Sequence, residues 1–228
     1  MSPIEQRLQR VRQRITDAEQ RYGRAAGSVR LLAVSKTRPA DDIRKTLAAG
    51  QQRFGESYLQ EALSKIEALQ GQAIEWHYIG RVQSNKTRPI AESFDWVHSI
   101  DKLKQARRLD QQRPASLPPL NICLQIKLSE EQTKGGLLAD EAAGLVTEIA
   151  QMSRLRLRGL MTLPAPAHDL ESQRRPFRQL RQLLEQMNAA GAALDTLSMG
   201  MSGDLEAAIA EGATLVRIGT AIFGPRNP

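Results

Sequence analysis

Residues 196–224 read TLSMGMSGDLEAAIAEGATLVRIGTAIFG. An apolar run at 196–199 gives way to a glycine turn and then to Leu205-Glu-Ala-Ala-Ile, a run of good helix formers. A second apolar run at 214–219 follows and ends in another glycine-containing turn. Strand, helix and strand in this succession predict a βαβ unit, because parallel strands are joined only through a crossover connection.

The same alternation extends back towards the N-terminus. Further strand-like runs stand at 30–35, 52–55, 75–80, 96–100, 120–127 and 157–162, with helical patterns between them. The clearest helices carry Ala142, Leu145, Val146 and Ile149 on one face, and then Phe177, Leu180, Leu183, Leu184 and Met187. Eight strands separated by helices predict an α/β fold of the (β/α)8 TIM-barrel type, and 228 residues suit a minimal barrel. An open doubly wound sheet is the alternative, but no G-x-G-x-x-G follows the first strand.

The Pro-rich stretch 111–119 (QQRPASLPP) is too short to mark a boundary, so residues 1–228 read as one domain. Its first 25 residues read as an extra helix packing on the barrel. Ser2, Pro3 and Glu5 have the spacing of a capping box, and Ile4, Leu8, Val11, Ile15 and Tyr22 form an apolar face.

Composition narrows the function classes. Hydrophobic residues make up 41% and charged ones 25%, and no apolar run reaches the roughly 20 residues of a membrane span. The N-terminus lacks a secretory h-region, so the chain reads as cytoplasmic with no membrane partner. The single cysteine, Cys123, lies in an apolar stretch and reads as a buried thiol. A net charge of +7 raises the question of nucleic acid, but Lys and Arg are interleaved with acids and aromatics are only 4%, so no nucleic-acid partner is expected. His77, His98 and His168 show no metal-ligand spacing.

In such a barrel, chemistry sits where strands end at their C-terminal side. The loop around Ser202 after the seventh strand, and Gly219 with Thr220 after the eighth, stand where barrels commonly bind phosphate. Taken singly, each of these loops reads as a turn or helix cap, and it is the pair of them on adjacent strands that points to phosphate. By residue type alone Lys36, just after the first strand, reads as a snorkelling surface lysine, but that strand adjoins the eighth in a closed barrel. A neutral lysine amine adds to an aldehyde, so an inward lysine beside a phosphate clamp suits pyridoxal 5′-phosphate (PLP).

The strings AVSKTRP (33–39), FGESYLQE (54–61), WHYIGRVQSNK (76–86), EEQTKGG (130–136), GLMT (159–162), LSMGMSGDLEAAI (197–209) and TLVRIGTAIFG (214–224) occur in collinear order. Together they resemble the pyridoxal phosphate homeostasis protein family, single-domain barrels related to the N-terminal domain of alanine racemases. The resemblance implies that Lys36 carries PLP as an imine and that Arg217 faces the pyridine nitrogen, keeping it unprotonated. It also implies that Ser202, Gly219 and Thr220 hold the phosphate. Ser57, His77, Asn85, Ser198 and Met201 fall in the same strings and are expected around the cofactor, although His77 is equally readable as a hydrogen-bonded wall residue. Lys134 resembles a lysine that passes PLP on, or is an exposed loop lysine. Two positions depart from the family pattern, with Ser57 and Lys127 standing where asparagines are usual.

The expected function is that of a PLP carrier or buffer in vitamin B6 homeostasis, serving PLP-dependent apoenzymes, with no catalytic residue assigned. The alternative is a weak amino-acid racemase. The resemblance implies that true alanine racemases draw a catalytic tyrosine from a further β-domain. This sequence stops at Pro228 and has tyrosines only at 22, 58 and 78, so weak turnover and a monomer are expected.

Overall fold

The computed structural model describes residues 2–128 and 135–225. Among them, β1 (Arg30–Val34), β2 (Arg53–Glu56), β3 (Glu75–Tyr78), β4 (Trp96–Ile100), β5 (Leu120–Gln125), β6 (Leu155–Met161), β7 (Thr196–Ser198) and β8 (Leu215–Ile218) pair in order, all parallel. Arg30 to Ala33 of β1 register against Leu215 to Ile218 of β8, which closes the barrel. Several strands end before the apolar run does: β3 stops at Tyr78 rather than 80, and β5 at Gln125 rather than 127. The residues beyond have already turned into the loops that form the C-terminal mouth. β6 begins at Leu155, two residues earlier than the pattern suggests.

The helices are α1 (Pro3–Arg21), α2 (Ala40–Ala48), α3 (Leu59–Ala68), α4 (Thr87–Ser93), α5 (Leu103–Gln112), α6 (Ala139–Ile149), α7 (Leu170–Ala189), α8 (Leu205–Ala210) and α9 (Thr220–Phe223). Helices around the barrel bury apolar residues, for example Ile43 on α2, Leu109 on α5, Phe177 and Leu180 on α7. On α6 only Ala142 and Ile149 are buried, while Leu145 and Val146 are half-covered. The capping box of α1 forms as expected: Glu5 N–H donates to Ser2 Oγ at 3.3 Å and Ser2 N–H to Glu5 Oε2 at 2.5 Å. Ile4, Leu8, Val11 and Ile15 dock that helix against α8 and α9. Among the described residues no helix is long and apolar enough to cross a membrane.

Two kinds of surface meet inside the barrel. Trp96, Cys123 and Met161 form a small apolar cluster, and burial pushes the Cys123 thiol up to about 12, which leaves it unreactive. The lumen also holds polar side chains, with Arg217 and Ser198 beneath the site described below and His98 and His77 further in.

Gly159 of β6 sits opposite Thr196 of β7, and a Cβ there would lie 1.8 Å from the Thr196 carbonyl oxygen. Only a shift of the β6–β7 backbone would relieve that overlap. Gly159→Ala is therefore expected to cost about 3 kcal/mol or more, read as a lower urea midpoint. An unchanged midpoint would contradict the register.

Candidate functional site

A cavity of about 280 Å³ opens at the C-terminal mouth, between the ends of β1 and β8 and the loop after β7. Lys36 lines it from the turn that leaves β1. This turn is bracketed on both sides of the lysine. Ser35 Oγ donates to Glu56 Oε1 at 2.6 Å, and the Ser35 carbonyl accepts from Lys65 Nζ at 2.8 Å. On the other side, Thr37 N–H donates to Glu61 Oε1 at 2.6 Å.

Lys65 Nζ ties these anchors together by also reaching Glu56 Oε1 at 2.8 Å and Glu61 Oε1 at 2.5 Å. Burial pushes the Glu56 carboxyl up from its ordinary value, against the pull of Lys65 and the Ser35 hydroxyl. Thr37 has φ +65°, a conformation that costs a β-branched residue about 1–3 kcal/mol. The buried cluster holds that strained turn in place, and with it the lysine.

The facing wall comes from the loops after β7 and β8. Ser202, Gly219 and Thr220 line the cavity, and Ser202 Oγ accepts from Ala221 N–H at 3.4 Å, joining the two loops. The start of α9 therefore meets the cavity, an orientation that favours an anion. Asp204 is the N-cap residue of α8, and its Oδ1 accepts from Met201 N–H at 2.5 Å. Gly219 has a second constraint: a Cβ there would come 3.2 Å from the Val34 carbonyl oxygen of β1. Ser57 and Met201 also line the cavity, as do the apolar side chains Ile79, Met161 and Leu163. The Ser57 loop sits so close that a Cβ on Gly80 would meet the Ser57 carbonyl oxygen at 2.1 Å.

Arg217 forms the floor and is only 4% exposed. Its Nη1 donates to Ser198 Oγ at 2.8 Å and its Nη2 to the Thr162 carbonyl at 2.7 Å. Burial pushes its pKa down to about 10, which still leaves it a cation at neutral pH. Arg38 joins Lys36 and Arg217 at the cavity, with Nη2 bonded to the carbonyls of Gly224 and Pro225 at 2.6 and 2.5 Å. Among the described residues, the lining thus has three cationic side chains and no acidic one.

Of the residues singled out in the sequence, Lys36, Ser57, Met201, Ser202, Arg217, Gly219 and Thr220 come together here. Ser198 lies beneath the floor, bonded to Arg217. His77 is not in the lining: it is fully buried in the lumen, between Glu75 and His98. Asn85 is exposed on the short 3-10 helix Ser84–Lys86, away from the lining. Lys127 does not line the cavity either, and Lys134 lies outside the described residues.

The sequence reading missed Arg38 and the Glu56–Glu61–Lys65 cluster. The legible signal for the cluster was Lys65 itself, a lysine standing in the buried stripe Leu59, Ala62, Lys65, Leu69.

Residues 6–227 match the family model described as alanine racemase, N-terminal domain. The chain is 54% identical over 227 residues to a pyridoxal phosphate homeostasis protein of Pseudomonas aeruginosa, covering 100% of this chain and 97% of that protein. It is 48% identical over 230 residues to the protein of the same name in Escherichia coli, covering 100% and 98%. The solved structure of PipY from Synechococcus elongatus PCC7942 with PLP bound superposes with a TM-score of 0.85 at 35% identity, over 97% of this chain and 100% of that one.

Proposed function

Because the chain belongs to the pyridoxal phosphate homeostasis protein family, we propose that its cavity holds PLP on Lys36 and that the protein stores the cofactor and hands it on. The observation that carries this reading is the cavity's charge: among the described residues three cations and no acid line a space at the small end of ligand sites, suited to a phosphate-bearing molecule. The Ser202 hydroxyl and the backbone at Gly219 and Thr220 would take the phosphate, and the Lys36 amine would take the aldehyde. Arg217 has only donors to offer, so a ring nitrogen facing it must accept and stay unprotonated. Bound in that way, PLP supplies a weaker electron sink than it does with a protonated ring.

A racemase would need a proton donor or acceptor on each face of its substrate. Among the described residues, no Tyr, His, Asp, Glu or Cys lines the cavity beside Lys36. Tyr78 is buried with its hydroxyl bonded to the Arg81 carbonyl at 3.2 Å, and Tyr58 is exposed outside the lining. That favours holding over turnover. The same reading takes the protein as a cytoplasmic monomer serving PLP-dependent apoenzymes.

The test is to load the protein with PLP, offer it an apoenzyme, and separately assay D/L interconversion of alanine. Activation of the apoenzyme without interconversion is expected, and appreciable racemisation would refute the carrier reading. Ser202→Ala removes one hydrogen bond to a charged group, about 1.5–3 kcal/mol. It should weaken PLP binding roughly ten- to hundredfold in a spectroscopic titration, and unchanged affinity would take Ser202 out of the phosphate site.

A further inference from the structure

Below the cavity floor the barrel lumen holds a continuous file of polar side chains. Ser198 Oγ lies 2.8 Å from His98 Nδ1, His98 Nε2 lies 2.8 Å from His77 Nδ1, and His77 Nε2 lies 2.7 Å from Glu75 Oε1. The file starts at Arg217 beneath the cavity and crosses the lumen from β7 to β4 and β3. It ends at the first residue of β3, at the opposite mouth, where Glu75 is partly exposed and pairs with Arg53 Nε at 3.3 Å. None of the two histidines, Ser198 or Glu75 lines the cofactor cavity.

Its two ends dictate the direction of every bond between them. Arg217 can only donate, and an ionised Glu75 can only accept. His77 must then carry its proton on Nε2, which leaves Nδ1 to accept from His98 Nε2–H. His98 Nδ1 in turn accepts the Ser198 hydroxyl proton, and Ser198 Oγ accepts from Arg217. Both rings are neutral in this arrangement, and all four bonds point the same way. Burial favours neutrality of both histidines, helped at His98 by the facing charges of Arg217 and Arg30. Burial also acts on Glu75, but the hydrogen bond from His77 and the charges of Arg53 and Arg30 outweigh it and hold the carboxyl below its ordinary value. The His77 ring is stacked on Trp96 at 5.4 Å and 11°, which fixes its plane.

We propose that Glu75, His77, His98 and Ser198 form a one-way hydrogen-bond relay that orients the Arg217 guanidinium from the far mouth of the barrel, making Glu75 a positioning residue for the cofactor cavity. The relay rests on the preceding functional reading only in what Arg217 faces, and its first test needs no PLP.

In ¹⁵N-histidine NMR of the PLP-free protein at neutral pH, His77 and His98 are expected as Nε2–H tautomers. Ser198→Ala should leave both tautomers in place, set from the Glu75 end, while His98 Nδ1 moves to the shift of a nitrogen with no donor. Glu75→Leu removes the acceptor, so His77 should turn to Nδ1–H and donate to His98, which then donates to Ser198. A substitution at one mouth would thereby invert the tautomer of His98, whose Nδ1 is bonded to the serine beneath the other. In PLP-loaded protein, Glu75→Leu should also shift the cofactor's absorption maximum, and Glu92→Leu on the outer surface should not.

An Nδ1–H or doubly protonated ring in the wild type overturns the relay, as does a His98 tautomer unmoved by Glu75→Leu. Failure to take up PLP would instead overturn the cofactor reading, leaving the tautomer pattern to decide the relay.

Discussion

Lys36→Ala protein is expected to emerge colourless from incubation with PLP and dialysis, while the wild type emerges yellow. The expectation follows from where the lysine is held. Its neighbours Ser35 and Thr37 are both tied to the Glu56–Glu61–Lys65 cluster, in which Glu56 and Lys65 are buried, so the amine is presented to the cavity from a fixed turn. Without Lys36, the proposed phosphate loops and Arg217 would bind PLP only reversibly, and dialysis would remove it. The loss should be of the whole imine band, not a fraction of it. A borohydride-bleachable band of wild-type intensity in Lys36→Ala would remove Lys36 from the account.

Lys65→Met should have the largest effect on stability. Lys65 and Glu56 are buried, with side-chain exposures of 7% and 0%, and truncating one partner strands the other charge. Breaking a buried pair in this way costs about 3–5 kcal/mol. The substitution also frees the Ser35 carbonyl and the Glu61 carboxylate that holds Thr37, so imine formation at Lys36 should slow as well. Lys65→Met/Glu56→Gln should recover part of the lost stability by removing the stranded charge, although not the rate. A urea midpoint for Lys65→Met equivalent to within about 0.5 kcal/mol of wild type, the range of an ordinary surface change, would contradict the reading.

The barrel was legible because each βα unit repeats an apolar run, a turn and an amphipathic helix, and parallel strands leave few alternatives to closure at eight. The cavity residues after β1, β7 and β8 were legible for the same reason, since strand ends in a barrel converge on one mouth. What could not be read was contact across the lumen. His77 and Asn85 share one string of sequence, yet one lies inside the barrel and the other is exposed on its surface. His98 meets Ser198 a hundred residues away, a pairing that no local pattern encodes. Gly219 was read beside an anion site, and its close approach to the Val34 carbonyl of β1, which leaves little room for a side chain, could not be seen from the sequence. Arg38 was passed over although it follows Lys36 by two residues, because its role depends on how the turn folds back to Gly224.

The central claim is that Lys36 is the residue to which PLP is bonded. It is tested most directly by reducing the PLP-loaded protein with borohydride, digesting it, and locating the added phosphopyridoxyl mass by tandem mass spectrometry. The account predicts that mass on Lys36, in stoichiometric yield. Its appearance on another lysine with Lys36 unmodified, or its absence from the protein altogether, would contradict the account.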